Sequence, residues 1–126
     1  MRRSWLGLAA AAILLAEGCA GRIHPSAPVA TPSPAPQTFT ATAYCHGTRT
    51  AAGTRPAEKT VAADPAVLPL GSRIHISGLD DRYNGVYTVL DTGPKVRGHR
   101  VDLYMRDCRE AVRFGRQKAS LALVRD

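Results

Sequence analysis

The chain has 126 residues, a formal net charge of +7 at pH 7 and a hydrophobic fraction of 44%. These residues leave room for one small folded domain with a modest core, which excludes large multidomain architectures. The positive charge favours an anionic partner such as a cell-wall polymer or an anionic lipid. Nucleic acid is not predicted as a partner, because the basic residues are scattered and lack interleaved aromatic side chains.

The N-terminus carries the pattern of an export signal. Two arginines follow Met1, residues 5–16 are almost wholly apolar, and small residues follow up to position 21. Such a run is typical of a signal peptide and is short for a membrane span. We therefore predict a signal peptide or lipoprotein signal over residues 1–21, and a location in the periplasm or cell envelope. Acylation of Cys19, as in an outer-membrane lipoprotein, stands beside ordinary cleavage or an uncleaved anchor, because Glu17 fits the lipoprotein pattern poorly.

Residues 22–37 form a segment rich in proline, alanine, serine and threonine. This composition cannot bury a core and predicts an extended, disordered linker. The folded domain is then expected to span residues 38–126, with a net charge of about +5.

Short alternating segments indicate that the domain is mainly β. Glycine and proline turns separate these segments, and Asp107 followed by Glu110 has the form of a helix capping box. We expect Val112 and Phe114 to supply the apolar contact of this helix. Six short strands with one small helix favour a closed barrel, because closure protects strand edges in a small domain. The predicted strand segments outside the two acidic ones are 38–44, 61–63, 73–77, 85–89 and 119–124, of which 73–77 and 85–89 alternate strictly.

Two cysteines fall within the predicted domain, Cys45 and Cys108. In an exported chain such a pair predicts a disulfide, which would join the first strand to the helix. Two alternatives remain open at this stage. One is a zinc site that uses both cysteines, His46 and another histidine, and the other is a cysteine nucleophile; neither has the paired spacing typical of metal sites.

Asp91 and Asp102 each interrupt an apolar, strand-like segment. An ionised carboxylate in such a position is costly unless it is compensated. If the two strands lie side by side, the carboxylates approach each other, and like charges raise the pKa of one partner until it can act as a general acid. The alternative for Asp91 is a structural role, since Asp-Thr-Gly is also good turn chemistry.

Several motifs in order resemble the 3D domain family, named for three aspartates. The resemblance covers nearly all of the predicted domain, and its motifs are far more specific together than singly. They are Thr42-Ala43-Tyr44, Thr50 to Gly53, Val61 to Pro65, Leu68 to Ser72, Asp91-Thr92-Gly93, Lys95 to Tyr104 and Phe114-Gly115-Arg116. This domain resembles the catalytic barrel of membrane-bound lytic transglycosylase A and the stationary-phase-survival wall proteins.

The resemblance implies a double-psi β-barrel that acts on peptidoglycan. Such enzymes cleave the β-1,4 bond between N-acetylmuramic acid and N-acetylglucosamine without water and leave a 1,6-anhydro end. Asp102 matches the catalytic acid, Asp91 the partner that holds and polarises it, and Asp64 the third aspartate. One acid then suffices, in contrast to the two-carboxylate arrangement of most glycosidases.

Further residues are candidates for binding the glycan. Their alternative is a solvated turn charge or a core aromatic side chain without a ligand. The predicted substrate-binding set is Thr92, Lys95, Arg97, Arg100 and Tyr104, with Tyr44 as a further aromatic that could stack on a sugar.

The expected partners are peptidoglycan glycan strands, with membrane anchoring through the N-terminus as an option; we expect a monomer and no metal or other cofactor. Pro94 departs from the usual family loop after Asp-Thr-Gly and is expected to change the loop over the acids. A non-catalytic wall-binding or wall-loosening module is the main alternative function. A remote alternative is an aspartic protease, because residues 89–93 resemble the active-site loop of the dimeric retroviral class.

Overall fold

The computed structural model describes residue 18 and residues 34–125. The predicted signal segment, Cys19 and the first part of the predicted linker lie outside the described residues, apart from Gly18. Within the described part, no helix combines the length and the hydrophobicity that crossing a bilayer requires.

Six strands and one helix make up the described fold. In chain order they are β1 (Gln37–Tyr44), β2 (Thr60–Ala63), β3 (Arg73–Ser77), β4 (Gly85–Asp91), β5 (Arg100–Tyr104), α1 (Cys108–Phe114) and β6 (Gln117–Leu123). The strands close into a barrel in the order β1-β5-β2-β4-β3-β6. Closure pairs both edges of every strand, so this small sheet presents no open edge. The mainly β barrel with one short helix confirms the predicted fold class.

Two of the six strand pairings are parallel, β1 with β5 and β2 with β4. The other four pairings are antiparallel. Strand neighbours in the barrel are therefore mostly not neighbours in the chain, and β2 lies between β4 and β5.

Alternation along the strands separates the core from the outer face of the barrel. In β5, Val101 and Leu103 are buried, whereas Arg100, Asp102 and Tyr104 are partly exposed. The same period of two holds along β1 and β3, as expected for strands with one buried face. The core consists of inward-facing apolar residues, of which the largest fully buried are Ile74, Ile76, Leu103, Val61, Val89 and Val101.

The helix α1 begins where its capping residue predicts, but its apolar face differs from the prediction. The Asp107 carboxylate caps the helix by accepting a hydrogen bond from the Arg109 amide at 2.8 Å. Ala111 and Phe114 face the core, and Val112 is 80% exposed. The expected Val112 contact is wrong because residues two apart lie on opposite sides of a helix, whereas residues three apart share a face.

Cys45 and Cys108 form the predicted disulfide, which joins the end of β1 to the first turn of α1. The His46 ring lies beside this bond, so the three candidate zinc ligands do meet within 4.8 Å. Because the two sulfur atoms are bonded to each other, neither is available as a thiolate for metal binding or nucleophilic attack. The arrangement supports the disulfide over both alternatives.

Candidate active site

Four residues form a row across the outer face of the barrel, one on each of four neighbouring strands. Thr42 on β1 is in register with Asp102 on β5. Asp102 is in register with Ala62 on β2, and Ala62 with Asp91 on β4. Residues in register point to the same face of a sheet, so both carboxylates project from one surface. The sequence predicted the two acids, and the fold places both on one face of the barrel.

An irregularity in the pairing of β2 with β4 places Asp91 in this row. Val61 is in register with Val89, but the next residue of β2, Ala62, is in register with Asp91, so Leu90 is passed over. With regular pairing Leu90 would have stood in the row and Asp91 would have turned to the other face. The extra residue therefore re-aims the carboxylate, as bulges near functional sites often do.

The two acidic strands do not lie side by side, so the condition that the sequence analysis set for a close pair of carboxylates is not met. β2 separates them, so the backbones at Asp91 and Asp102 are two strand spacings, or about 10 Å, apart. The residue between the two acids is Ala62, which is buried to 3% exposure outside the main core cluster. Its side chain is a single methyl group, the smallest that a residue other than glycine can place between the two acids.

Asp102 is half-buried, and its carboxylate accepts a hydrogen bond from the Thr42 hydroxyl at 2.9 Å. Burial raises the pKa of Asp102, and the negative charge of Asp91 adds a smaller increase. The Thr42 hydrogen bond and the positive charge of Arg100 act in the opposite direction on that pKa. The predicted direction of the shift is therefore supported, but desolvation is its main cause and not the neighbouring acid.

Asp91 accepts three hydrogen bonds. One carboxylate oxygen accepts from the backbone amides of Ala51 at 3.0 Å and Thr92 at 2.9 Å. The other oxygen accepts from the Tyr44 hydroxyl at 3.0 Å. Asp91 thus accepts from three donors and donates to no acceptor, which is the hydrogen-bonding pattern of an ionised carboxylate. The structural and functional interpretations of Asp91 therefore coexist: it fastens two loops and also places a negative charge beside Asp102.

Tyr44 contacts both Asp91 and Tyr104 on this face of the barrel. Burial, followed by the charge of Asp91 and its hydrogen bond, raises the pKa of the Tyr44 hydroxyl, so this group stays protonated and donates to Asp91. The Tyr44 ring meets Tyr104 edge to face, with ring centres 5.5 Å apart, and the two residues are in register on β1 and β5. The two tyrosines thus form an aromatic floor next to the acids.

Arg100 lies on the same face, two residues before Asp102. Its guanidinium donates to the Lys95 carbonyl at 3.3 Å and to the Thr42 hydroxyl at 3.5 Å. The Nε atom is buried and has no hydrogen-bond partner among the described residues. The positive charge therefore stands beside the Thr42 and Asp102 pair, where it limits the rise in the pKa of Asp102.

Asp64, the third predicted aspartate, binds the loop that joins β4 to β5. Its carboxylate accepts from the Gly98 amide at 2.8 Å and from the Ala66 amide at 3.0 Å, with Arg97 at 3.9 Å. The Gly98 and Ala66 amides, helped by Arg97, lower the pKa of Asp64. Gly98 takes a φ of 64°, a left-handed conformation that glycine adopts without strain. These contacts favour a positioning role for Asp64 over contact with a substrate.

Asp64→Asn is expected to loosen the loop between β4 and β5. Because the folded-state pKa is lowered, the ionised carboxylate stabilises the loop above the unfolded value of about 3.9, and this contribution disappears as the pH falls through the folded value. At neutral pH we expect the Gly98 amide to exchange its hydrogen faster in the variant than in the wild type. In the wild type we expect the protection of this amide to be lost only at acidic pH. Asp80→Asn is the matched control, since Asp80 also accepts a local amide hydrogen bond but in another loop; equal Gly98 exchange in all three proteins would contradict the role.

The remaining predicted binding residues lie in the same loop or beside it. The side chains of Thr92, Lys95 and Arg97 are exposed. Pro94 occupies the second position of a turn in which the Val96 amide donates to the Gly93 carbonyl at 3.1 Å. Proline favours that position, so Pro94 is accommodated by the loop without disturbing it.

Sequence reasoning missed three parts of the site: the Thr42 hydroxyl on Asp102, the small Ala62 between the acids, and the Ala51 amide on Asp91. Thr42 and Ala51 stand in motifs that the sequence analysis singled out, and Thr42 also stands in an alternating strand. The pattern showed their positions but not their contacts, which depend on strand order.

A family model for the 3D domain matches residues 59–125, just over half of the chain. Two curated proteins of Bacillus subtilis (strain 168) are similar to it. YabE, whose name refers to cell wall shaping, is 32% identical over 89 residues, which is 66% of this chain and 21% of that protein. The cell wall-binding protein YocH is 30% identical over 69 residues, 55% of this chain and 22% of that protein. The chain therefore spans about a fifth of the length of these relatives.

Two solved structures have a similar fold. MltA from Escherichia coli, a lytic transglycosylase, superposes with a TM-score of 0.51 at 18% identity, over 61% of this chain and 27% of that one. The lytic transglycosylase LtgG of Burkholderia pseudomallei gives a TM-score of 0.51 at 20% identity, over 59% of this chain and 25% of that one. At these identities the likeness concerns the fold. The family match, together with the closed barrel, establishes that this chain belongs to the 3D domain family.

Proposed function

We propose that this protein is an exported enzyme of peptidoglycan turnover that acts as a lytic transglycosylase. Its substrate would be the β-1,4 bond between N-acetylmuramic acid and N-acetylglucosamine. A role at the cell wall, and so a location outside the cytoplasm, is supported by relatives named for cell wall shaping and cell wall binding. The proposal of catalysis depends on one observation: a half-buried Asp102 with a raised pKa, on an open face beside a second carboxylate.

In the proposed reaction, the Asp102 carboxyl donates its proton to the glycosidic oxygen as the bond from that oxygen to the muramic acid C1 breaks. The resulting Asp102 carboxylate then accepts the proton of the 6-hydroxyl of the same sugar. The freed O6 bonds to C1 and closes the 1,6-anhydro ring, which regenerates the protonated acid. Atoms and charges balance without water, and one residue serves in turn as acid and base.

Asp91 and Tyr44 would support this chemistry electrostatically. The charge on the sugar ring becomes positive as the bond to C1 breaks, so a fixed negative charge on the same face is stabilising. Asp91 is held in place by the Tyr44 hydroxyl and two backbone amides and is therefore preorganised. The Arg100 guanidinium, and Lys95 and Arg97 in the adjoining exposed loop, are proposed to bind carboxylates of the substrate. Thr92 borders the same acid, and Tyr104 offers a ring on which a sugar can stack.

The direct test is to incubate the protein with purified peptidoglycan in water enriched in ¹⁸O and to analyse the soluble products by mass spectrometry. Lytic transglycosylase activity yields anhydro-muropeptides without ¹⁸O. A hydrolase would instead release reducing ends that carry ¹⁸O. Absence of both products would contradict the proposed catalysis.

Thr42→Val is expected to shift the pH dependence of cleavage upward. The Thr42 hydroxyl lowers the pKa of Asp102, so its loss raises that pKa further. Since the reaction begins from the protonated acid, activity falls as the pH rises through this pKa, and the falling limb moves to higher pH in the variant. The measurement is kcat/KM against pH on a soluble muropeptide oligomer.

Thr40→Val is the matched control for this shift. Thr40 lies on the same face of β1, but its hydroxyl accepts a hydrogen bond from Lys118, whereas it is the Thr42 hydroxyl that donates to Asp102. We expect its pH profile to coincide with the wild type. Identical profiles for Thr42→Val and the wild type would contradict the assignment of Asp102 as the acid.

A wall-binding module that does not cut is the second candidate function. The similarity to the cell wall-binding protein YocH favours it, as does the position of the acids on an outer face of the barrel and not in an enclosed cavity. Tight co-sedimentation with peptidoglycan and no soluble product would support binding alone. The aspartic protease alternative is not favoured, because such an enzyme places the Asp of one Asp-Thr-Gly loop against the same loop of a second chain, whereas Asp91 is already bonded to Tyr44, Ala51 and Thr92.

A further inference from the structure

A second concave surface lies beside the row of acids. It is a cleft of about 380 Å³ between the residues before β2, the turn that precedes β4, and the segment that joins β5 to α1. This volume falls in the range of small-ligand pockets. Asp64, Asp91 and Asp102 do not line it, so the proposed catalytic role of these residues does not explain the cleft.

Tyr104 joins the cleft to the acids. It follows Asp102 by two residues on the same face of β5, at a distance of about 7 Å along the strand. The Tyr104 ring contacts the Tyr44 ring of the candidate active site. Tyr104 also lines the cleft. A ligand that reaches Asp102 can therefore extend along β5 into the cleft without leaving the surface.

The tyrosines of the cleft have their hydroxyl groups engaged by the protein. The Tyr83 hydroxyl donates to Glu110 at 2.9 Å, and the Tyr87 hydroxyl donates to the Tyr83 carbonyl at 2.8 Å. Both residues are almost fully buried. They build a rigid wall whose hydroxyl groups are not free to bind a ligand, so polar recognition in the cleft depends on its charged side chains.

The charged side chains at the rim carry both signs, and two of them are unpaired. Glu58 and Arg106 are exposed, and neither side chain forms a hydrogen bond or ion pair with any residue in the range 34–125. Lys59 is held in place: its ammonium donates to the Asn84 carbonyl at 3.1 Å and lies 4.7 Å from the centre of the Tyr87 ring.

The backbone of Lys59 is also unusual. Its φ of 64° makes it the one non-glycine residue with a left-handed conformation in the described part of the chain. Such conformations cost energy outside glycine and often mark functional positions. Lys59 lines the rim of the cleft and directly follows Glu58 in the sequence.

We propose that this cleft binds the peptide stem of peptidoglycan, a short peptide that bears carboxylates and the free amine of a diamino acid. Arg106 and Lys59 recognise a stem carboxylate, Glu58 recognises the amine, and the buried tyrosines exclude water beneath the peptide. The inference rests on the proposed function, because it places the glycan of the same substrate at Asp102 and its stem beyond Tyr104. It implies a preference for glycan strands that still carry peptides.

The test compares the affinities of the full chain for four probes by isothermal titration calorimetry. They are a disaccharide of the two sugars with a tetrapeptide stem, the same disaccharide without the stem, and the free tetrapeptide with or without an acetyl group on its diamino-acid amine. We expect the stem to increase the affinity about tenfold, as one or two charge-assisted hydrogen bonds would. Equal affinity for the two disaccharides overturns the inference.

Two variants and a control assign the effect to the cleft. Arg106→Ala is expected to remove most of the gain from the stem, and Glu58→Gln to weaken binding of the free tetrapeptide but not of its acetylated form. Arg113→Ala is the matched control, since Arg113 is exposed in the last turn of α1 and does not line the cleft. An equal loss in Arg113→Ala and Arg106→Ala overturns the inference, because it indicates attraction by net charge alone.

The outcomes separate this inference from the proposed function. If the protein cleaves glycan strands equally well with and without peptides, and Arg106→Ala has no effect, the peptide site is overturned. The proposed enzymatic activity is then still supported. Binding of the free tetrapeptide that depends on Arg106 and Glu58, without any cleavage of glycan, supports the peptide site and contradicts the enzyme. Melting temperatures equal to the wild type establish that the variants are folded.

Discussion

Asp102→Asn is expected to abolish the release of anhydro-muropeptides, with a loss of roughly 10²–10⁴-fold in turnover, the usual contribution of a positioned general acid and base. The amide keeps the size of the carboxyl group and can still accept the Thr42 hydrogen bond. It cannot transfer a proton to the glycosidic oxygen or receive one from the 6-hydroxyl. We therefore expect the variant to bind the glycan and fold as the wild type does while it releases no product.

Asp81→Asn is the control for this experiment, because Asp81 is an exposed carboxylate in the segment between β3 and β4, outside the row of acids. Turnover by liquid chromatography and mass spectrometry, and binding by co-sedimentation, should be measured on all three proteins. Full activity in Asp102→Asn would refute the mechanism. Loss of both turnover and binding at an unchanged melting temperature would point to a wall-binding role for the same acid.

Among the substitutions proposed for this protein, replacement of both Cys45 and Cys108 by serine is expected to lower the free energy of unfolding the most. The two residues are 63 positions apart in sequence, and the chain-entropy model assigns a loop of this length about 4 kcal/mol. Small domains have total stabilities of roughly 5–15 kcal/mol, so this loss is a large fraction of the whole. The disulfide also joins α1 to β1, which carries Thr42 and Tyr44, and its removal should loosen the aromatic floor beside the acids.

Urea unfolding of the full chain, followed by fluorescence, measures this effect directly. The wild type in the presence of a reducing agent should match the double-serine variant, and the same reagent should leave the variant unchanged. His46→Ala is a matched control, since the His46 ring lies beside the disulfide and its removal leaves the bond in place. A double variant as stable as the wild type would show that the barrel core alone accounts for the fold.

The strand segments, the helix start and the disulfide pair could all be predicted from the sequence. The alternation of Arg73 to Ser77 shows directly which side chains face the core, because the period of a strand is a local property. Asp107 marks the start of α1 for the same reason, since a cap acts on amides two residues away. Asp91 and Asp102 stood out because each interrupts an apolar segment.

The neighbours of those residues could not be predicted in the same way. Periodicity assigns Asp102 to a face but does not say that Thr42, 60 positions earlier, donates to it, or that β2 separates it from Asp91. Parallel pairing and barrel closure join segments that are distant in the chain, and a one-residue bulge at Leu90 of β4 decides which face Asp91 occupies. The pKa of Asp102 follows the same logic: the sequence supplied the acid, but burial raises its pKa, and burial is set by the side chains that the closed barrel packs around it.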